Sequence, residues 1–245
     1  MEYKIKHRPS FALLEISLPQ NEKITAEAGA LIYMEDGVEV KTRTRKGSLF
    51  KKLKTSVLGG ESFFVNDYMA HKPAKIGFSA PPLGDIEHLE TKLGTGFIIQ
   101  SGAYIASTQN VRLDTEWQGF KKGIFGTQLF MLKTTGEGQV FFNAFGALEK
   151  IVLETNKTIT VDNYHLVAFS DSCKYKVTKF GSLKSTIFGG EGLVTEVTGP
   201  GDVFIQTKSP SEFAKWISPF LPVRRDSRGA RPEINVGGFR FGPGR

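Results

Sequence analysis

Along most of this chain apolar and polar residues alternate with a period of two, as in Leu193–Thr198 and again from Val203 to Ile205. That spacing suits β-strands with one face buried rather than amphipathic helices. Residues 12–33 predict two strands, ALLEISL and KITAEAGALIY, around a Pro-Gln-Asn-Glu turn. The pattern returns at 89–106, where Gly94-Thr95-Gly96 precedes FIIQSGAYIA. It returns once more at 151–168, where Thr155-Asn156-Lys157 precedes TITVDNYHLVA. Gly136, Gly138, Gly199 and Gly201 mark hairpin corners, where a positive φ would strain any residue with a Cβ.

The elements recur in a fixed order. FGGEGLVTEVTGPGDVFIQT at 188–207 repeats the features of FGTQLFMLKTTGEGQVFFNA at 125–144, and LGGESFFVN at 58–66 opens a looser copy. Setting Ile24 beside Phe97 and Ile159 gives offsets of 73 and 62, and setting Gly59 beside Gly126 and Gly189 gives 67 and 63. Two landmarks thus agree on three units, 12–84, 85–146 and 147–209, within one β body spanning 1–209. The expected fold is all-β, with three repeated β-sandwich units about a pseudo-threefold axis. The recurring Gly59, Gly60 and Glu61, Gly126, and Gly189, Gly190 and Glu191 read as turn residues. A catalytic pairing of Glu61 with Glu191 is the weaker reading, because the middle unit carries Thr127 in the matching slot.

Past the third unit, Ser209-Pro210-Ser211-Glu212 has the capping pattern of a helix start, and Phe213, Trp216 and Ile217 share one face before Pro219. A short helix over 210–220 is expected to close the end of the body. Residues 221–245 have no apolar period and read as a mobile Arg/Gly-rich tail.

Charge refines this picture. The formal charge of +7 is concentrated in two places. One holds Lys41, Arg43, Arg45, Lys46, Lys51, Lys52 and Lys54, with no acidic residue from 41 to 54. The other is the C-terminal 36 residues, with seven basic against three acidic side chains and with Arg224, Arg225 and Arg228 closely spaced. Leu49, Phe50, Leu53 and Val57 interleave with the lysines as on a short basic amphipathic helix. These segments are the candidate contacts for an anionic partner. A membrane surface or a protein is preferred, and nucleic acid is the alternative.

Candidate chemistry is sparse. His7, His71, His88 and His165 are far apart, Cys173 is alone, and Ser48-Leu49-Phe50-Lys51 lacks the companions of an acyl-transfer site. No catalytic residue, cofactor or metal is expected. The start lacks the apolar region of a secretory leader, and a cytoplasmic location follows, peripheral at the inner membrane face if the basic segments meet lipid. An enzyme with an inter-repeat pocket remains the third reading.

LGGESFF at 58–64, SAPPLGDIEHLE at 79–90, QSGAYIAS at 100–107, TEWQG at 115–119 and GGEGLVTEVTGPGDVFIQT at 189–207 together resemble the AIM24 family. The match covers about residues 12–209, and the chain departs from the family pattern at Gly126-Thr127-Gln128 and in its tail. The resemblance implies a TRAP-like, double-stranded β-helix fold of repeated units with trimeric packing. It also implies a scaffold or interaction role. Mitochondrial members are associated with inner-membrane organisation and respiratory-complex integrity, while prokaryotic members have no settled activity.

Overall fold

A computed structural model describes residues 1–44, 64–116, 131–179, 193–221, 234–236 and 239–241. These residues are predominantly strands in antiparallel sheets, with one short α-helix near the C-terminus. The first stretch supplies β1 (Glu2–Lys6), β2 (Leu13–Leu18), β3 (Lys23–Glu27), β4 (Leu31–Met34), β5 (Val38–Thr44), β6 (Phe64–Ala70) and β7 (Ala74–Phe78). The second supplies β8 (Ile86–Thr91), β9 (Phe97–Gln100), β10 (Tyr104–Thr108), β11 (Arg112–Glu116), β12 (Met131–Thr135) and β13 (Gly138–Asn143). The third supplies β14 (Leu148–Leu153), β15 (Thr158–Asp162), β16 (Leu166–Ser170), β17 (Lys174–Lys179), β18 (Leu193–Thr198) and β19 (Gly201–Gln206). Helix α1 (Pro210–Ile217) follows, then a hairpin of β20 (Ile234–Val236) and β21 (Phe239–Phe241).

Four sheets form the body. The first has the order β1-β2-β7-β4, the second β5-β6-β3-β10-β13-β8, the third β11-β12-β9-β16-β19-β14, and the fourth β15-β18-β17. Three apolar cores lie between successive sheets. Leu14, Ile16, Ile76 and Phe78 of the first sheet meet Ile24, Ala26, Tyr68 and Phe141 of the second. On its other side the second sheet presents Val65, Tyr104, Val140 and Phe142 to Ile99, Leu132, Ala168 and Phe204 of the third. Ile98, Phe169 and Val203 then face Val161 and Val197 of the fourth. Successive residues of a strand point to opposite faces, so Phe141 and Phe142, or Ile98 and Ile99, serve different cores. The two inner sheets therefore bury both faces, where the alternating pattern predicts one.

Among the described residues no strand pair joins the first sheet to the fourth. The layers form an open series, and strand pairing between the ends does not close them about an axis.

The long runs 23–33, 97–106 and 158–168 are each two strands rather than one, and at each break the chain passes to the neighbouring sheet. The breaks follow from local chemistry. Gly29 has φ +98° in the first, Ser101–Ala103 form a 3-10 turn in the second, and the Asp162 carboxylate accepts the Tyr164 N–H at 2.8 Å in the third. Strand β1, which precedes the first expected unit, pairs with β2 along Glu2–Lys6.

Of the expected corner glycines, Gly136, Gly138 and Gly201 have positive φ and Gly199 does not. A Cβ on Gly199 would lie 2.5 Å from the Glu154 carbonyl oxygen, so close backbone approach explains that position. Gly59, Gly60, Glu61, Gly126, Gly189, Gly190 and Glu191 lie outside the described residues.

Helix α1 begins as its sequence predicts: the Ser209 Oγ accepts the Glu212 N–H at 3.3 Å, with Pro210 in the first turn. None of its residues is fully buried. Phe213 touches Phe145 edge-on at 5.2 Å. The β20–β21 hairpin falls in the stretch read as a tail without period.

Candidate functional site

A recess of about 610 Å³ among the described residues is lined by Lys23 and Thr25 of β3, Arg43 of β5, Val65 and Asp67 of β6, and Ser107 of β10. Gln109 and Val111 before β11, and Arg112, Leu113 and Asp114 within it, complete the lining. Its charged centre follows from strand register. Thr25 lies directly opposite Asp67 across the β3–β6 pair, and on the other side Lys41 lies opposite it across β5–β6. Arg43, two residues on, reaches Asp67 diagonally, a distance long side chains span. The guanidinium forks the carboxylate, donating from Nε at 2.9 Å and from Nη2 at 3.1 Å. The Thr25 hydroxyl donates at 2.6 Å, and the Lys23 ammonium stands at 3.7 Å.

Burial works to raise the Asp67 carboxyl, but the Arg43 fork and the Thr25 hydroxyl outweigh it and hold the group below its ordinary value. So engaged, Asp67 is a poor proton acceptor. The recess brings three cations, Lys23, Arg43 and Arg112, to two carboxylates, Asp67 and Asp114, and is suited to an anionic group.

A second ionic cluster ties the N-terminal stretch to the start of β8. Arg8 donates from Nε and Nη2 to the two oxygens of Asp85, each at 2.8 Å, and from Nη2 to Glu87 at 3.0 Å. The Asp85 side chain is nearly buried and also accepts the Ile86 N–H. Nearby, a recess of about 110 Å³ bordered by Phe11, Leu83 and Asn143 holds the buried Asn143 Oδ1, which has no hydrogen-bond partner.

Of the basic residues singled out as anionic contacts, two are described. Lys41 pairs with Glu39 at 2.9 Å on an exposed strand surface, and Arg43 is committed to Asp67. Both belong to β5, so the insertion begins as an extension of the sheet. Arg45, Lys46, Lys51, Lys52, Lys54, Arg224, Arg225 and Arg228 lie outside the described residues, as does the expected helix around 49–57.

The histidines stay apart: His71 bonds Glu39 at 3.1 Å, His88 bonds Glu87 at 2.9 Å, and His165 bonds the Gln206 carbonyl at 2.7 Å. Among the described residues no group of three or more His, Cys, Asp or Glu is placed to hold a metal. The Cys173 thiol is buried under the Pro200 carbonyl, and burial, aided by Asp202, pushes its pKa up.

Two features carry no clear mark in the sequence. The Asp67 cluster joins residues 24 and 42 positions apart, and only the strand register could have revealed it. The aromatic face of α1 is visible in the sequence, but its exposure is not. Phe213, Trp216 and Phe220 stand in a row with ring centroids 5.9 and 5.8 Å apart, and are 39%, 65% and 73% exposed. Among the described residues no helix is long and apolar enough to cross a membrane.

Residues 3–208 match the family model described as mitochondrial biogenesis AIM24. An uncharacterized protein of Streptococcus pyogenes serotype M6 is 30% identical over 231 residues, covering 91% of this chain and 92% of that one. A crystal structure of a Streptococcus pyogenes protein superposes with a TM-score of 0.75 at 27% identity, covering 90% of this chain and 99% of that one.

Proposed function

The chain belongs to the AIM24 family, and from that premise we propose that it is a non-enzymatic β scaffold that rests its C-terminal end on an anionic membrane face. The observation that carries this reading is the exposed row of Phe213 and Trp216 on α1 and Phe220 on the 3-10 turn Ser218–Phe220 that follows, anchored to the body through Phe213. Aromatic rings partition to the interface between headgroups and acyl chains, and a short amphipathic helix can lie in that plane. Lys208 precedes the row, Lys215 lies between its first two rings in sequence, and Arg224, Arg225 and Arg228 follow within eleven residues of the end of α1. Each basic residue near an anionic surface adds about 1 kcal/mol. The Lys41–Lys54 segment is a second basic contact.

The scaffold itself is proposed to be three copies of one six-stranded unit. Sheet orders β2-β7-β4 with β3-β6-β5, β8-β13-β10 with β9-β12-β11, and β14-β19-β16 with β15-β18-β17 are the same order shifted by six strands. The register slips at one place in each, between Leu31 and Tyr33, Tyr104 and Ala106, and Leu166 and Ala168.

Co-sedimentation with vesicles tests the membrane reading. Binding is expected with vesicles containing phosphatidylserine, weakening as salt rises and falling at least about tenfold in a Trp216→Ala/Phe220→Ala variant, equivalent to about 1.4 kcal/mol. Failure to sediment at low salt refutes it. Retardation of single-stranded RNA without vesicle binding would favour the nucleic-acid reading.

A further inference from the structure

Between β7 and β8 the chain runs through Ser79–Asp85, where Pro81 and Pro82 have no N–H with which to extend a sheet. The loop is held at both ends instead. The Ser79 N–H donates to the Ala30 carbonyl at 2.9 Å, and its hydroxyl to the Ala12 carbonyl at 3.1 Å. At the far end the Gly146 N–H donates to the Leu83 carbonyl at 2.8 Å, and the Ala144 N–H to the Asp85 carbonyl at 2.9 Å. Gly84 lies so close to this second partner that a Cβ would strike the Ala144 carbonyl oxygen. So held, the loop and residues 11–12 enclose the recess of about 110 Å³ at the end of β13.

Asn143 ends β13 opposite Ile86, on the face that Phe141 turns to the first core. It is 3% exposed, and its Oδ1 has no hydrogen-bond partner. A buried acceptor without a donor is costly, and an apolar residue would avoid that cost, so the oxygen calls for a donor from outside. Water alone does not suit these walls. The volume holds several waters at roughly 30 Å³ each, and each needs polar partners, whereas Phe11, Ala12, Ala80, Pro82, Leu83 and Ile86 are apolar. Phe11 and Leu83 are 69% and 54% exposed, so apolar surface runs on from the recess to solvent.

Charge narrows the class. Among the described residues that line the recess only Asp85 is charged, and its carboxylate already accepts two N–H groups of Arg8 and that of Ile86, each at 2.8 Å. An anion would meet that carboxylate, and an ammonium would stand beside the Arg8 guanidinium; an uncharged donor meets neither penalty. We propose that the recess binds an uncharged ligand whose hydroxyl or primary amide donates to Asn143 Oδ1 and whose hydrocarbon stem lies on Phe11 and Leu83. The Ser79 hydroxyl, its proton given to Ala12, keeps lone pairs for the second donor of an amide. Only the head group and first carbons enter, since a whole drug-sized ligand needs about 300–1,000 Å³. The site rests on neither the membrane reading nor the three-copy reading.

The test is a titration of the isotope-labelled full chain followed by amide NMR. The probes are pentan-1-ol, pentanamide and butyl methyl ether, an isomer of the alcohol that accepts but cannot donate. The alcohol and the amide are expected to shift the Asn143 side-chain resonance and the backbone amides of Ala12, Gly84 and Asp85, with Kd on the order of 1–10 mM. The ether, pentanoate and pentylammonium should each bind at least about tenfold more weakly. Phe11→Ser/Leu83→Ser, at two exposed positions, should weaken the alcohol by about fivefold or more with an unchanged melting temperature. Asn143→Leu should erase the preference for the alcohol over the ether and leave the protein at least as stable, because its Oδ1 has no bond to lose. No shift at these amides in ~50 mM pentan-1-ol would mean that the recess holds water only, and overturns the proposal. So does an ether that binds as well as the alcohol, or alcohol binding untouched by the Phe11/Leu83 change. Should Asn143→Leu fail to fold, the ether comparison on the unaltered chain decides.

Discussion

Replacing Asp67 by Asn tests whether the charged centre of the large recess is held by the carboxylate. Asparagine keeps an oxygen for the Thr25 hydroxyl but loses the paired acceptors that the Arg43 fork requires, and it leaves Lys23 without its counter-charge. Hydrogen bonds to charged groups contribute about 1.5–3 kcal/mol when shielded, and exposed ion pairs about 0–1 kcal/mol. The Asp67 side chain is 16% exposed and Arg43 41%, so the pair falls between these cases. A loss of about 1–2 kcal/mol is expected, and at this chain length each kcal/mol moves the melting temperature by about 2–4 °C.

The pH dependence supplies the sharper test. The folded carboxyl lies below its unfolded value of about 3.9, so its contribution is fully present above that value and is lost as pH falls through the folded one. Melting curves of the parent and Asp67→Asn proteins should therefore stay a constant distance apart from neutral pH down to the ordinary carboxylate range, and converge as the pH falls below it. Arg43→Gln combined with Asp67→Asn should cost less than the two separate losses together, by at least about 0.5 kcal/mol. Strict additivity, or a gap that persists unchanged at low pH, would show that the fork seen in the structure does not hold the recess together.

Two further substitutions probe packing and capping. Phe142→Ala empties a fully buried site in the middle core, where the ring meets Phe204 edge-on at 5.5 Å. Chemical denaturation should register a loss of about 3–5 kcal/mol, and a loss below about 1 kcal/mol would mean that the two inner sheets are not packed through this ring. Ser209→Ala removes the acceptor for the Glu212 N–H and should cost α1 about 1 kcal/mol. Because the helix buries none of its residues, faster hydrogen exchange at Phe213–Lys215 is expected with little change in the global melt. Unchanged exchange there would refute the cap.

Strand existence was legible because alternation is a local signal, and Ile24, Phe97 and Ile159 do fall in β3, β9 and β15. Sheet membership was not. Residues 23–33 give a continuous apolar pattern across the turn at Gly29, although β3 and β4 belong to different layers, because nothing in the spacing records the change of direction. Two-sided burial was similarly hidden: the Phe141-Phe142 pair reads as a lapse in alternation until each ring is seen to fill a separate core. The capped start of α1 was readable from four residues, and its exposed aromatic row was not, since exposure depends on what the body leaves uncovered. The Arg8–Asp85 and Arg43–Asp67 pairs span 77 and 24 positions and depend on register alone.

A layered body of this kind constrains where function can reside. An inner sheet that gives both faces to apolar packing has few positions left for polar groups that face solvent, since a buried charge is costly unless it is paired. Polar chemistry is therefore displaced to strand edges, turns and the two ends of the stack. Asp67 and Arg43 lie at the β5–β6 edge of the second sheet, Arg8 and Asp85 in the stretches after β1 and before β8, and the aromatic row beyond β19. Edges are also where a sheet meets another chain. Among the described residues, six of the eight outer strands of the body sheets carry at least two charged residues, while β4 carries none and β15 carries Asp162 at its end.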